Sequence, residues 1–199
     1  TQKKADRSYL EASAQYIPEM IPKIVSAAIK SGISPQEIQI LAPMYRGAAG
    51  INRLNTIIQD LLNPLGDQLS FAFGEMNFRK GDKVLHLIND AELNVFNGDI
   101  GYITDLIPAK YTESKQDELF MSFDGTEVSY PRNEWHKITL AYAMSIHKSQ
   151  GSEFQVVILP ITRQSHRLLQ RNLIYTAITR SKSKLVMLGE IAAFDYAIK

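Results

Sequence analysis

Apolar residues at 20, 21, 24, 25 and 28 recur at helical spacing in EMIPKIVSAAIK and predict a helix over 19–30, ended by Ser31-Gly32. Pro22 is placed in its first turn, where proline is tolerated. IQILAPM, residues 38–44, reads as a short apolar strand, and Ile51, Leu54, Ile58, Leu61 and Leu62 then form one helical stripe closed by Asn63-Pro64. Between about 71 and 137 the character changes to short β-rich segments (KVLHLIN, DIGYITDLI, ELFMSFD, TEVSYP) separated by turn residues such as Asn97-Gly98-Asp99 and Asp124-Gly125. After Ile138 strand and helix alternate again: ITLAYAM, the polar loop HKSQGSE, FQVVILPI, a helix RLLQRNLIYTAITRSK and a last strand KLVMLGE.

This pattern predicts an α/β layer structure in two pieces, residues 1–70 and 137–199, interrupted by a small barrel-like β insert over 71–136. With 199 residues and 45% hydrophobic content the chain can form a real core. No apolar stretch approaches the roughly 20 residues of a membrane helix, and TQKKADRSYL lacks the apolar run of a signal peptide, so the expected location is cytoplasmic with no membrane partner. The chain has no cysteine, which excludes disulfides and thiolate chemistry. His86, His136, His147 and His166 show no zinc-ligand spacing, so no metal site is expected. A net charge of +1 is not that of a protein that coats nucleic acid, and any such contact has to be a local patch. The first residue is Thr and not Met, so either a processed product or a piece excised from a longer chain is expected.

Three polar segments follow apolar strands or close a helix: Pro43–Gly47, the HKSQGSE loop and Tyr175–Arg180. In an open α/β sheet, ligands bind where loops collect at the carboxyl ends of strands. Arg46 beside a helix start suits an anion such as phosphate, or is a solvated surface arginine. Arg180 can neutralise a transferring phosphoryl group, or is a helix-end cation favoured by the dipole. His147, Lys148, Ser149 and Gln150 supply several kinds of donor, with Gly151 allowing close backbone approach, a set that fits a sugar-phosphate chain read without sequence preference. Glu153 is the exception there, since a carboxylate repels phosphate and is better suited to a sugar hydroxyl or to ordering the loop. Lys148-Ser149 is not the end of a phosphate loop, because GxxxxGK[ST] is absent; nor does Asp117-Glu118 follow an apolar strand as a Walker B carboxylate would. Phe96, Tyr102, Phe120, Phe123 and Tyr130 in the insert either stack bases or form its core.

Taken together, the segments resemble the C-terminal half of superfamily 1 DNA helicases, closest to the RecD-like group that includes the alpha subunit of exodeoxyribonuclease V. ILAPMYRGAAGINRLNTIIQDLLNP looks like motif IV, SIHKSQGSEF like motif V and RNLIYTAITRSKSKLVML like motif VI. FRKGDKVLHLINDAELNVFNGDIGYITDL is similar to the segment that inserts an SH3-like barrel, domain 2B, into the RecA-like domain 2A. Ser145 stands where the family usually has Thr, and LINDAELN replaces a more basic, Asn-rich version. The resemblance implies a RecA-like parallel sheet of P-loop NTPase type without its own Walker A, carrying an SH3-like insert. It implies that Arg46 and Arg180 reach ATP, with Mg²⁺, held by an N-terminal RecA-like domain of the same parent chain. Ser145, His147, Lys148 and Ser149 would lie along single-stranded DNA, and Gln150, Gly151 and Glu153 would couple strand to nucleotide.

The expected function is the C-terminal motor portion of an ATP-dependent DNA helicase moving 5′ to 3′ on single-stranded DNA in repair or recombination, either alone or with other subunits of such a complex. Alone, the chain is not expected to hydrolyse ATP. The alternatives are a non-catalytic single-stranded nucleic-acid-binding module and a protein-interaction module built on the insert. A nuclease role is not expected, because no carboxylate cluster suits two metal ions.

Overall fold

The structure is a computed structural model, described for residues 6–165 and 171–190. In chain order the elements are β1 (Asp6–Glu11), α1 (Ile17–Lys30), β2 (Ile38–Ala42), α2 (Ile51–Leu62), β3 (Ser70–Phe73), β4 (Met76–Arg79), β5 (Lys83–His86) and β6 (Ile100–Ile107). They continue with β7 (Glu118–Phe123), β8 (Thr126–Pro131), β9 (Ile138–Leu140), β10 (Ala143–Ser145), β11 (Phe154–Ile161), α3 (Arg171–Thr179) and β12 (Ser181–Gly189). Two compact units result, one from the described residues within Thr1–Ile58 and Ala143–Lys199, the other Gln59–Tyr142.

The first unit is a parallel sheet in the order β1-β12-β11-β2-β10. Central β11 is buried along nearly its whole length, as a parallel strand covered on both faces should be, and this is why FQVVILPI is continuously apolar instead of alternating. α1 and α3 both pack against β11. α1 turns Ile17, Ile21 and Val25 inward. It starts two residues before the sequence pattern suggests, so Pro22 lies inside the helix and not in its first turn. At the outer strand β10, the buried Asn55 side chain of α2 accepts from the Ala143 N–H at 2.8 Å and donates to the Ala143 carbonyl at 3.1 Å. A side-chain amide thus stands in for a neighbouring strand.

The second unit is an antiparallel sheet, β8-β7-β6-β5-β9, with a β3-β4 hairpin. Its core holds Trp135, stacked on Phe71 at 5.6 Å between ring centroids and edge-on to Phe78 at 6.0 Å. Phe123 and Tyr130 are buried with it, whereas Phe96 and Phe120 are exposed.

Two predicted elements are corrected. ITLAYAM is not one strand: Ile138–Leu140 pairs with β5 in the antiparallel sheet, and Ala143–Ser145 pairs with β2 in the parallel one. Both sheets demand apolar residues, so hydrophobicity runs unbroken through the transition. The helix expected through Lys182 ends at Thr179, because SKSK joins β12 and pairs with β1 and β11; its predicted start lies partly outside the described residues.

Candidate functional site

The first polar segment leaves the carboxyl end of β2 and folds back on α2. The Met44 and Tyr45 carbonyls accept from the N–H groups of Ile51 and Asn52 at 3.0 and 3.1 Å. These donors of the first helical turn are therefore engaged, and an anion here is met by the exposed Arg46 side chain more than by the helix N-terminus. Tyr45 beside it is 54% exposed, an aromatic surface within the polar segment Pro43–Gly47 to which the sequence pattern assigns no role. Gly50 makes the fold-back possible: a Cβ there would lie 2.5 Å from the carbonyl carbon and oxygen of Arg46. Gly50→Ala should therefore cost about 1–3 kcal/mol of stability and displace Arg46, checked by chemical denaturation of the chain.

The HKSQGSE loop begins at the carboxyl end of β10 with one 3-10 turn, His147–Ser149. Ser145 Oγ accepts from the Lys148 N–H at 3.3 Å, which leaves its own O–H free to donate outward. Ser149 is fully buried, and its hydroxyl donates to the Ile146 carbonyl at 2.6 Å. The Ser149 hydroxyl thus shapes the loop from inside, unlike the exposed His147 that shares with it the place expected along a nucleic-acid strand. His147, Gln150, Gly151 and Glu153 are exposed and Lys148 is half-buried. Gly151 has φ +84° and open space where a Cβ would point, so the left-handed backbone turn is what requires glycine here within the chain itself.

The third segment places Arg180 alone between α3 and β12. Its N–H donates to the Ala177 carbonyl at 3.1 Å, and its carbonyl accepts from the Phe154 N–H at 2.8 Å. Nη1 donates to the Ser152 carbonyl at 3.2 Å and Nη2 to Thr179 Oγ1 at 3.3 Å, while Nε is buried without a partner. No carboxylate pairs with this guanidinium among the described residues. A partly buried, uncompensated cation is a costly feature that an anionic ligand would offset.

Phe154 and Ser181 are register partners, so Arg180 stands at the amino ends of β11 and β12. The three segments therefore do not gather at one set of carboxyl ends. Arg46 leaves the carboxyl end of β2, Arg180 the amino end of β12, and the HKSQGSE loop runs from the first edge to the second, ending against Arg180. The structure joins Arg180 to this loop and does not join Arg46 to either.

Comparison with known proteins fits these two units. Residues 140–188 match the UvrD-like helicase C-terminal domain, and residues 54–123 match the SH3 domain of ATP-dependent RecD-like DNA helicases. The ATP-dependent RecD2 DNA helicase of Deinococcus radiodurans is 34% identical over 164 residues, 82% of this chain and 21% of that protein. The chain belongs to the RecD-like superfamily 1 helicases. The RecBCD enzyme subunit RecD of Mycolicibacterium smegmatis is 29% identical over 82% of this chain and 27% of its own length. The chain thus spans about a fifth to a quarter of these RecD-like relatives. A solved Pif1 helicase structure, concerned with unwinding at forked double-stranded DNA, covers 88% of this chain and 46% of its own. At TM-score 0.50 and 20% identity it shares the fold. The RecA-like parallel sheet carrying an SH3-like insert, expected for a RecD-like helicase, is the architecture present.

Proposed function

We propose that this chain is the C-terminal motor portion of an ATP-dependent DNA helicase that moves 5′ to 3′ on single-stranded DNA in repair or recombination. The observation that carries the reading is the contact of Arg180 Nη1 with the Ser152 carbonyl, which fastens an uncompensated cation to the end of the HKSQGSE loop. In this reading Arg180 faces the phosphates of ATP bound by an N-terminal RecA-like domain of the same parent. His147 and Lys148, with the Ser145 hydroxyl, face the DNA backbone at the other end of the loop. Gln150 and Gly151 lie between and Glu153 directly follows Ser152, so a shift of the strand pulls on the carbonyl that holds the arginine. Arg46, leaving the other end of the sheet, approaches the nucleotide from a separate side.

The donor set of arginines, lysine and hydroxyl fits a phosphate-bearing ligand. No group of three or more His, Cys, Asp or Glu among the described residues is placed to hold a metal. We therefore assign the Mg²⁺ that accompanies ATP to the nucleotide-holding domain. ATP bound there supplies the free energy of hydrolysis, and the residues here sense its phosphates and grip the strand. Other repair subunits are partners in this reading only where the parent acts within a complex.

Strand displacement by the full-length parent tests the proposal. A duplex with a 5′ single-stranded tail should be opened in the presence of ATP and Mg²⁺, and one with a 3′ tail should not. Opening from the 3′ tail alone would reverse the direction, and no opening of either would remove the helicase reading.

A further inference from the structure

Residues 87–99 of the antiparallel unit form a closed loop with an unusual surface. Asp90 and Val95 exchange backbone hydrogen bonds at 2.8 and 3.1 Å, and fully buried Val95 pins the loop to the unit. Side chains then fix the rest: Asp90 accepts from the Leu93 N–H at 3.1 Å, Asp99 from the Phe96 N–H at 2.9 Å and Asn89 from the Asn97 N–H at 2.9 Å. The Gly98 N–H closes the base on the His86 carbonyl at 2.8 Å. A loop ordered this thoroughly nevertheless leaves Ile88, Leu93 and Phe96 exposed at 39, 41 and 43%. Apolar groups held out on a fixed backbone have already met the ordering cost of association, and such surfaces mark sites of interaction.

The charge around them decides the partner. No Lys or Arg occurs between 84 and 109, whereas Asp90, Glu92 and Asp99 lie within the loop. The neighbouring Lys137, whose carbonyl accepts from the Leu87 N–H, is already paired with Glu134 at 2.7 Å, so a nucleic-acid backbone would meet the loop's carboxylates with no cation of the loop's own, even though Phe96 offers a ring for stacking. A partner segment of large apolar side chains flanked by Lys or Arg is complementary in both respects.

We propose that the 87–99 loop is a docking site for a partner-protein segment that carries large apolar side chains flanked by Lys or Arg, seated on Ile88, Leu93 and Phe96 and steered by Asp90, Glu92 and Asp99. This surface is distinct from the residues assigned to ATP and DNA above, and the proposal stands without that assignment.

The test uses the full-length parent and a random dodecapeptide phage library, selected on the wild-type protein and counter-selected on Leu93→Ser/Phe96→Ser. The substitutions are at exposed positions and keep every backbone hydrogen bond of the loop, so the variant should unfold as the wild type does, which denaturation checks. Enriched peptides should combine large apolar residues with Lys or Arg. Their synthetic forms should bind the double variant and Glu92→Lys about tenfold more weakly or worse, with affinity falling as salt rises. Enrichment of acidic peptides, or of none that distinguish wild type from variant, would overturn the proposal. So would a double variant that loses single-stranded DNA binding while its peptide binding is unchanged, since the loop would then be a nucleic-acid contact.

Discussion

Asp82→Ala should lower the stability of the antiparallel unit by about 3 kcal/mol or more, because several buried donors lose a shared acceptor at once. Asp82 is fully buried, and each carboxylate oxygen takes two hydrogen bonds. Oδ1 accepts from Asn63 Nδ2 and the Tyr142 hydroxyl, both at 2.8 Å. Oδ2 accepts from Gln59 Nε2 at 2.8 Å and the Arg79 N–H at 2.7 Å. The Arg79 guanidinium turns instead to Asp60 at 2.9 Å, so the Asp82 charge is stabilised by aligned dipoles. One carboxylate therefore ties the end of α2, the turn after β4 and the last residue of the unit together. Asp82→Asn should cost nearly as much as Ala, since its NH₂ would point at donors. Equal stability of Asn and wild type would show that shape alone matters.

Trp135, the single tryptophan and part of this core, reports the transition by fluorescence during urea unfolding of the chain. Burial, reinforced by the charge of Asp82, also raises the Tyr142 phenol above its ordinary value. The folded unit therefore keeps that proton after the unfolded chain has lost it. Its contribution to stability is present below about pH 10 and is lost as pH rises beyond it.

Nothing in the sequence around Asp82 announces this role. Gly81-Asp82 reads as a turn, and the donors come from Gln59, Asn63 and Tyr142, far away along the chain. Local periodicity carries no information about such a meeting. The same limit explains the other surprises. β1, DRSYLE, is largely polar because it lies at the sheet edge and most of its residues are exposed, so no apolar alternation marks it. ITLAYAM crosses from one sheet to another without any change in composition. What was legible was burial on both faces: FQVVILPI and KLVML can hardly be anything but interior strands, and a polar loop next to such a strand draws attention to itself. His147, Lys148 and Arg180 all sit next to such strands. The burial of Ser149 was not legible, because a serine in a polar loop looks the same whether its hydroxyl faces solvent or the Ile146 carbonyl.

Arg180→Ala in the full-length parent should reduce ATP turnover by about 10³-fold or more, the general worth of an arginine placed on a transferring phosphoryl group. The Ser152 carbonyl and Thr179 hydroxyl each take one guanidinium hydrogen, and the remaining Nη hydrogens stay available to an anion. Arg180→Lys should fail as well, because a single ammonium lacks the planar fork that can hold the carbonyl and a phosphate together. As a helix-end cation alone, Arg180 would contribute only about 0.3–1 kcal/mol to stability and nothing to turnover.

Single-stranded-DNA-stimulated ATP hydrolysis by the full-length parent, wild type against Arg180→Ala with nucleotide binding measured on both, bears most directly on this account. It predicts a fall in turnover of about three orders of magnitude with nucleotide binding largely kept. Unchanged turnover, accompanied by no more than a slight loss of stability, would contradict it and leave the Ser152 contact as a piece of local packing.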